Sequence, residues 1–167
     1  MTYLAAVISM FLAFVLASGA LNKLLQSERL AISTSLLTGF SVSTGALLSV
    51  AAAAIESVAA MLLLVPGWGR VGAFVAFALW ALYSLLLWTR KGSEIDCGCT
   101  LNSKPQDTRH AIPHALALSG LAMSVAASTE PTNFRPEFIL AGVAFFTFYI
   151  AGNELLALST LRRIIGR

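Results

Sequence analysis

Charged residues are scarce in this chain of 167: Asp, Glu, Lys and Arg make up 11% of it, while 57% is hydrophobic. A soluble domain carries roughly 25% charge. The shortage excludes a water-exposed surface over most of the molecule, and a mean hydropathy of +0.81 points to a bilayer. Other absences narrow the field further. The chain has no Gly-rich phosphate loop, no G-x-S-x-G elbow and no H-E-x-x-H helix, so the best-known nucleotide, serine-hydrolase and zinc-protease signatures are missing. Aromatic and basic residues do not interleave, and no nucleic-acid partner is expected. No Lys or Arg precedes the first apolar run. The "ASGA" at 17–20 resembles a cleavage site, but a signal peptide needs a basic leading region, so a retained helix is expected.

What the chain does have is long uncharged stretches. A membrane helix needs about 20 apolar residues. Residues 1–22 and 71–89 carry no charge, 111–129 carry only His114, and 138–159 only Glu154. Residues 30–69 are interrupted by Glu56 alone, yet they are too many for one simple span. Their first part, "LAISTSLLTGFSVSTG", is rich in Ser and Thr and broken by Gly39 and Gly45. It reads as an interfacial helix or turn, with a sixth span over 29–45 as the alternative. The "PGWG" at 66–69 reads as a turn. The expected architecture is all-α: one polytopic membrane helix bundle over 1–167, with about five spans near 3–22, 46–65, 70–89, 111–128 and 138–158. A polar loop over 90–110 joins the third span to the fourth.

Basic residues mark the cytoplasmic side of short membrane loops. With five spans, Lys23, Arg29, Arg90, Lys91, Lys104, Arg109, Arg162, Arg163 and Arg167 share one side, and only Arg70 and Arg135 the other. That bias places the polar loop and the C-terminus on the basic, cytoplasmic face of a bacterial inner membrane. The basic residues themselves read as membrane-end anchors facing lipid phosphates.

The polar loop holds both cysteines, as Cys97-Gly98-Cys99, among Glu94, Asp96, Asn102, Lys104 and Asp107. An incidental free cysteine is normally a small hydrophobe inside a core, which fits this setting poorly. Gly98 permits a tight backbone, so the two sulfurs can converge. A disulfide closing so small a ring is usually strained, and strained disulfides exchange readily. Glu94 and Asp96 disfavour a thiolate, whereas Lys91, Lys104 and Arg109 favour it. A second chemistry uses the same atoms, since two thiolates one residue apart can chelate a soft ion such as Cu(I), Hg(II) or Zn(II). His110 and His114, spaced i, i+4 on the fourth span, would complete a four-ligand set with Cys97 and Cys99 in number. A third possibility is a structural subunit that scaffolds a partner enzyme.

Glu56 stands near the middle of the second span, where an ionisable group is costly and normally faces a partner or cavity. Lys23, at the end of the first span, is a candidate partner; it and Glu154 also read as helix-end anchors. Glu56 is expected to face the bundle, as a hydrogen-bonded structural carboxylate or as a proton carrier. Exchange for Gln would then be tolerated in the first role and would abolish activity in the second.

Taken together, "ASGALNKLL" at 17–25, Glu56 within "AIESVAAMLLLVPGWG", and "CGC" after the third hydrophobic segment resemble the methylamine-utilisation protein MauE family, within a wider DoxX-like group of redox-associated membrane proteins. The resemblance covers most of the chain. It implies a part in disulfide formation with a thioredoxin-like partner, during maturation of an exported client; for the type family the client is the methylamine dehydrogenase small subunit. It also implies that Cys97 and Cys99 are the family's cysteine pair and that Lys23 and Glu56 are its polar helix positions. Disulfides are made outside the cytosol, which pulls against the charge bias. Two cysteines cannot relay electrons across a bilayer by thiol exchange alone, so the loop re-enters the membrane, the span count shifts by one, or a quinone or partner thiol takes the next step.

Overall fold

The computed structural model describes residues 2–90, 94–95, 106–128 and 136–165. Six helices follow one another: α1 (Thr2–Leu25), α2 (Ser27–Thr38), α3 (Val42–Leu64), α4 (Gly69–Thr89), α5 (Thr108–Ala126) and α6 (Pro136–Ile165). Between α4 and α5 lie two short strands, β1 (Glu94–Ile95) and β2 (Gln106–Asp107). Among the described residues, four helices are long and apolar enough to cross a membrane: Tyr3–Leu25, Val42–Leu64, Gly69–Thr89 and Pro136–Leu155. The fifth expected span corresponds to α5, whose apolar part, Ala111–Ala126, is shorter. Large apolar side chains such as Leu47, Met61, Phe74, Leu85, Leu140 and Phe148 point outward. In a soluble protein that would be a liability; in a bilayer it is the lipid-facing surface.

The Ser- and Thr-rich segment after α1 is a helix of 12 residues. At 1.5 Å per residue it is about 18 Å long, too short to cross a hydrocarbon core of about 30 Å by itself. It ends at Gly39, whose φ of 80° places it in the left-handed region and lets its N–H close on Ser35 O, the usual glycine stop. Ser41 then starts α3 as its N-cap: its hydroxyl accepts from the Thr44 N–H at 3.3 Å and pairs with the Thr44 hydroxyl at 3.0 Å. This cap is why α3 begins at Val42 and not near 46. The hydroxyls that made the stretch look interfacial are partly helix punctuation, a common use of short polar side chains.

Small residues let the helices approach closely, as membrane bundles require. A Cβ added at Gly45 would meet the Ser35 backbone nitrogen at 2.9 Å, so α2 lies against the first half of α3. One added at Gly142 would meet Met10 Cβ at 2.6 Å, seating α6 on α1. The main core gathers Leu12 and Leu16 of α1, Leu63 of α3, Trp80 of α4, and Leu118 and Ala122 of α5.

Two arginines mark which helix ends meet. Arg70, at the start of α4, donates from Nε to Ser128 O after α5 at 2.7 Å. Arg90, just past the end of α4, donates from Nε to Leu37 O of α2 at 3.2 Å. The ends of α2 and α4 and the start of α5 therefore share one end of the bundle. The two strands sit there, antiparallel, with Glu94 opposite Asp107 and Ile95 opposite Gln106.

Candidate functional site

Lys23 stands two residues before the end of α1, where a lysine commonly reaches outward to the headgroups. Here it turns inward. Its ammonium donates to both carboxylate oxygens of Glu56 at 2.9 Å, and the side chains are 6% and 3% exposed. From α4, the Tyr83 hydroxyl donates to Glu56 Oε1 at 3.1 Å, and the Tyr83 ring lies under the ammonium, 5.5 Å from Nζ to its centroid. One carboxylate thus accepts from two different helices while a third carries it. A buried charge is tolerable only when it is paired and its remaining hydrogen-bonding capacity is used, and this arrangement meets both conditions. Glu56 faces the bundle, away from the lipid-facing surface.

The chemistry open to the cluster follows from that saturation. With Glu56 held by two donors, the unit is an ion pair braced by a phenol, tying α1, α3 and α4 at one level. Lys23 and Glu56 were both legible as candidates. Tyr83 was not, although one signal existed: a tyrosine within an apolar helix must find a partner for its hydroxyl.

His114, on α5, pairs through Nε2 with the Tyr149 hydroxyl of α6 at 2.9 Å. The two rings meet edge to face at 5.0 Å, and Tyr149 also packs edge-on against Phe11 at 5.6 Å. Replacement of Tyr149 by Phe keeps the ring contacts with His114, Phe11 and Phe146 and removes the hydroxyl that bonds His114. It is expected to lower stability by about 1 kcal/mol, read as a small fall in the melting temperature of the detergent-solubilised protein; a fall as large as that of Tyr149→Ala would contradict it.

His110 belongs to the first turn of α5, but its side chain, together with Cys97 and Cys99, lies outside the described residues. Glu154 is half-buried on α6. Among the described residues no three His, Cys, Asp or Glu side chains come together as a metal site, and one ring nitrogen of His114 is engaged by Tyr149.

A stack of apolar helices, braced inside by one ion pair and carrying a polar hairpin at one end, defines a multi-pass membrane protein. The sequence model of the family described as methylamine utilisation protein MauE matches residues 1–129, and the chain belongs to that family. The matched segment takes in α1 to α5 and the cysteine-bearing hairpin and stops before α6. No curated protein and no solved structure matches the chain.

Proposed function

We propose that this protein is a thiol–disulfide redox protein of the bacterial inner membrane, in which Cys97 and Cys99 exchange disulfides with a client protein destined for export. The observation that carries the reading is the register of the hairpin. Pairing of Glu94 with Asp107 and Ile95 with Gln106 draws together the two ends of the stretch 96–105, which holds the chain's two cysteines. The stretch between those ends is polar in sequence, and a polar loop held by a scaffold is where a partner protein commonly meets reactive groups.

In the oxidised state a client thiolate attacks one sulfur of the Cys97–Cys99 disulfide and forms a mixed disulfide, releasing the other sulfur as a thiolate that takes up a proton. The client's second thiolate then attacks the mixed disulfide. The client leaves with the new disulfide, and the protein keeps a dithiol. A thioredoxin-like partner in its disulfide form restores the pair by the same exchange in reverse, or a quinone accepts the two electrons and two protons. The small ring of a Cys-Gly-Cys disulfide favours passing it on. Lys23, Glu56 and Tyr83 support this chemistry by fixing α4, the helix that leads into the loop, against α1 and α3. The basic residues flanking the hairpin favour the cytoplasmic face, whereas disulfide formation favours the outer one. A C-terminal reporter fusion active only in the periplasm would assign the loop to the outer face.

Trapping tests the proposal. In the full chain in its native membrane, Cys99→Ser or Cys97→Ser is expected to leave a sulfur that accumulates a partner as a mixed disulfide, removable by dithiothreitol. If neither variant forms an adduct, and purified protein instead carries stoichiometric soft metal that is lost on replacing His110 or His114, the redox reading fails.

A further inference from the structure

The last turn of α2 stands at the root of the cysteine-bearing hairpin, a position that neither the family match nor the helix count explains. Three contacts put it there. The Leu37 side chain packs against a small buried cluster of Leu87, Ala111 and Ile112: Leu87 belongs to the last turn of α4, and Ala111 and Ile112 to the first turns of α5. The two helices from which the hairpin springs are therefore joined over one residue of α2. Second, the Leu37 carbonyl accepts from Arg90 Nε at 3.2 Å. A cation there also faces the negative end of the α2 dipole, which favours it. Third, β1 itself lies against α2.

Gly39 makes this approach possible. Its left-handed backbone ends α2 abruptly, and a Cβ on it would meet the Arg90 guanidinium at 3.1 Å. Any other residue would be strained at that φ and would crowd the arginine. The platform is in turn fixed to the bundle by the close approach of α2 to α3 at Gly45.

We propose that the C-terminal turn of α2 is a clamp that positions the cysteine hairpin, with Arg90 and Leu37 as its positioning residues. This rests on the thiol-exchange reading of Cys97 and Cys99. The clamp anchors both roots of the hairpin, and so governs how readily a partner reaches the sulfurs and how readily they meet each other.

Two measurements on the full chain in membranes test it. The first is the rate at which a maleimide alkylates the reduced cysteines; the second is the dithiol–disulfide equilibrium against a glutathione buffer. Arg90→Leu removes an exposed contact and leaves the buried core alone. It is expected to change the alkylation rate by at least about fivefold, the equilibrium weight of the one hydrogen bond to Leu37 O at ordinary net strength, and to shift the glutathione equilibrium. Leu37→Ala and Gly39→Ala are expected to act in the same direction. Arg70→Leu, which loses a similar bond to Ser128 O at the other end of the bundle, is expected to leave both readouts at the wild-type value.

If Arg90→Leu and Leu37→Ala both keep wild-type alkylation rates, the clamp is overturned. If the wild-type cysteines never oxidise in any glutathione buffer, the redox reading falls instead, and the alkylation rates still decide the clamp.

Discussion

Glu56→Gln is expected to destabilise the bundle by about 3–5 kcal/mol, the range found when one partner of a buried ion pair is removed. The reason is the charge left behind. Lys23 is 6% exposed and gives its ammonium to both carboxylate oxygens; an amide offers one weaker acceptor and no counter-charge. Lys23→Met is expected to cost a similar amount by stranding the carboxylate, with only the Tyr83 hydroxyl still donating to it. Removing the whole cluster is a different experiment. Lys23→Met with Glu56→Leu and Tyr83→Phe removes the buried ion pair together with the hydroxyl that faces it, and is expected to recover most of the lost stability. The comparison is read from unfolding of the detergent-solubilised variants. A Gln variant as stable as wild type would show that the pair contributes nothing to the fold. If the apolar triple variant folds but its single-cysteine forms no longer trap the mixed disulfide proposed above, the cluster has a second task beyond bracing.

This outcome reshapes what Gln substitution means. From sequence, Glu56 alone invites the view that Gln would be tolerated in a hydrogen-bonding role. The two 2.9 Å contacts with Lys23 make charge, and not hydrogen-bonding capacity alone, the property that must be matched.

The membrane class and the positions of the apolar helices were legible because they depend on composition over some twenty residues at a time. Lys23 and Glu56 stood out for a related reason: charge is rare enough in such helices that each instance asks for a partner. Tyr83 and Tyr149 did not stand out, because an aromatic residue in an apolar helix is ordinary until its hydroxyl's neighbour is known. Those neighbours, Glu56 and His114, lie 27 and 35 residues away, and helix register across that distance is set by packing. The segment after α1 shows the same limit in another form. Its Ser, Thr and Gly content revealed a short, non-spanning element, but not that Leu37 within it would stand between α4 and α5 at the base of the hairpin. Local sequence reports what an element is; which turn of which neighbour it touches is decided by the close approaches that small residues permit.

One such approach carries the second large effect. Gly72, in the first turn of α4, has the backbone of α3 directly over it: an added Cβ would meet Leu63 N at 2.6 Å, Leu62 C at 2.9 Å and Ala59 O at 3.0 Å. All three are main-chain atoms and cannot swing aside, so a methyl group there must push α4 away from α3. The seam beneath is made of small side chains, with Ala59, Ala73 and Ala76 wholly buried, and it has no slack to absorb the shift. Gly72→Ala is therefore expected to destabilise by about 1–3 kcal/mol, the usual cost of overpacking a well-filled interior. The displacement would also draw Tyr83 back from Glu56 and disturb the contact of Arg90 with Leu37, since both lie on or just past the same helix. Gly120 supplies the control. It lies in the middle of α5, and an added Cβ there meets nothing within 4 Å. Gly120→Ala is expected to stabilise slightly, by roughly 0.5–1 kcal/mol, because alanine loses less backbone freedom than glycine in a helix. Melting temperatures of the two variants should move in opposite directions. If both rise together, the contact between α3 and α4 is looser than the distances at Gly72 require, and helix propensity alone governs this site.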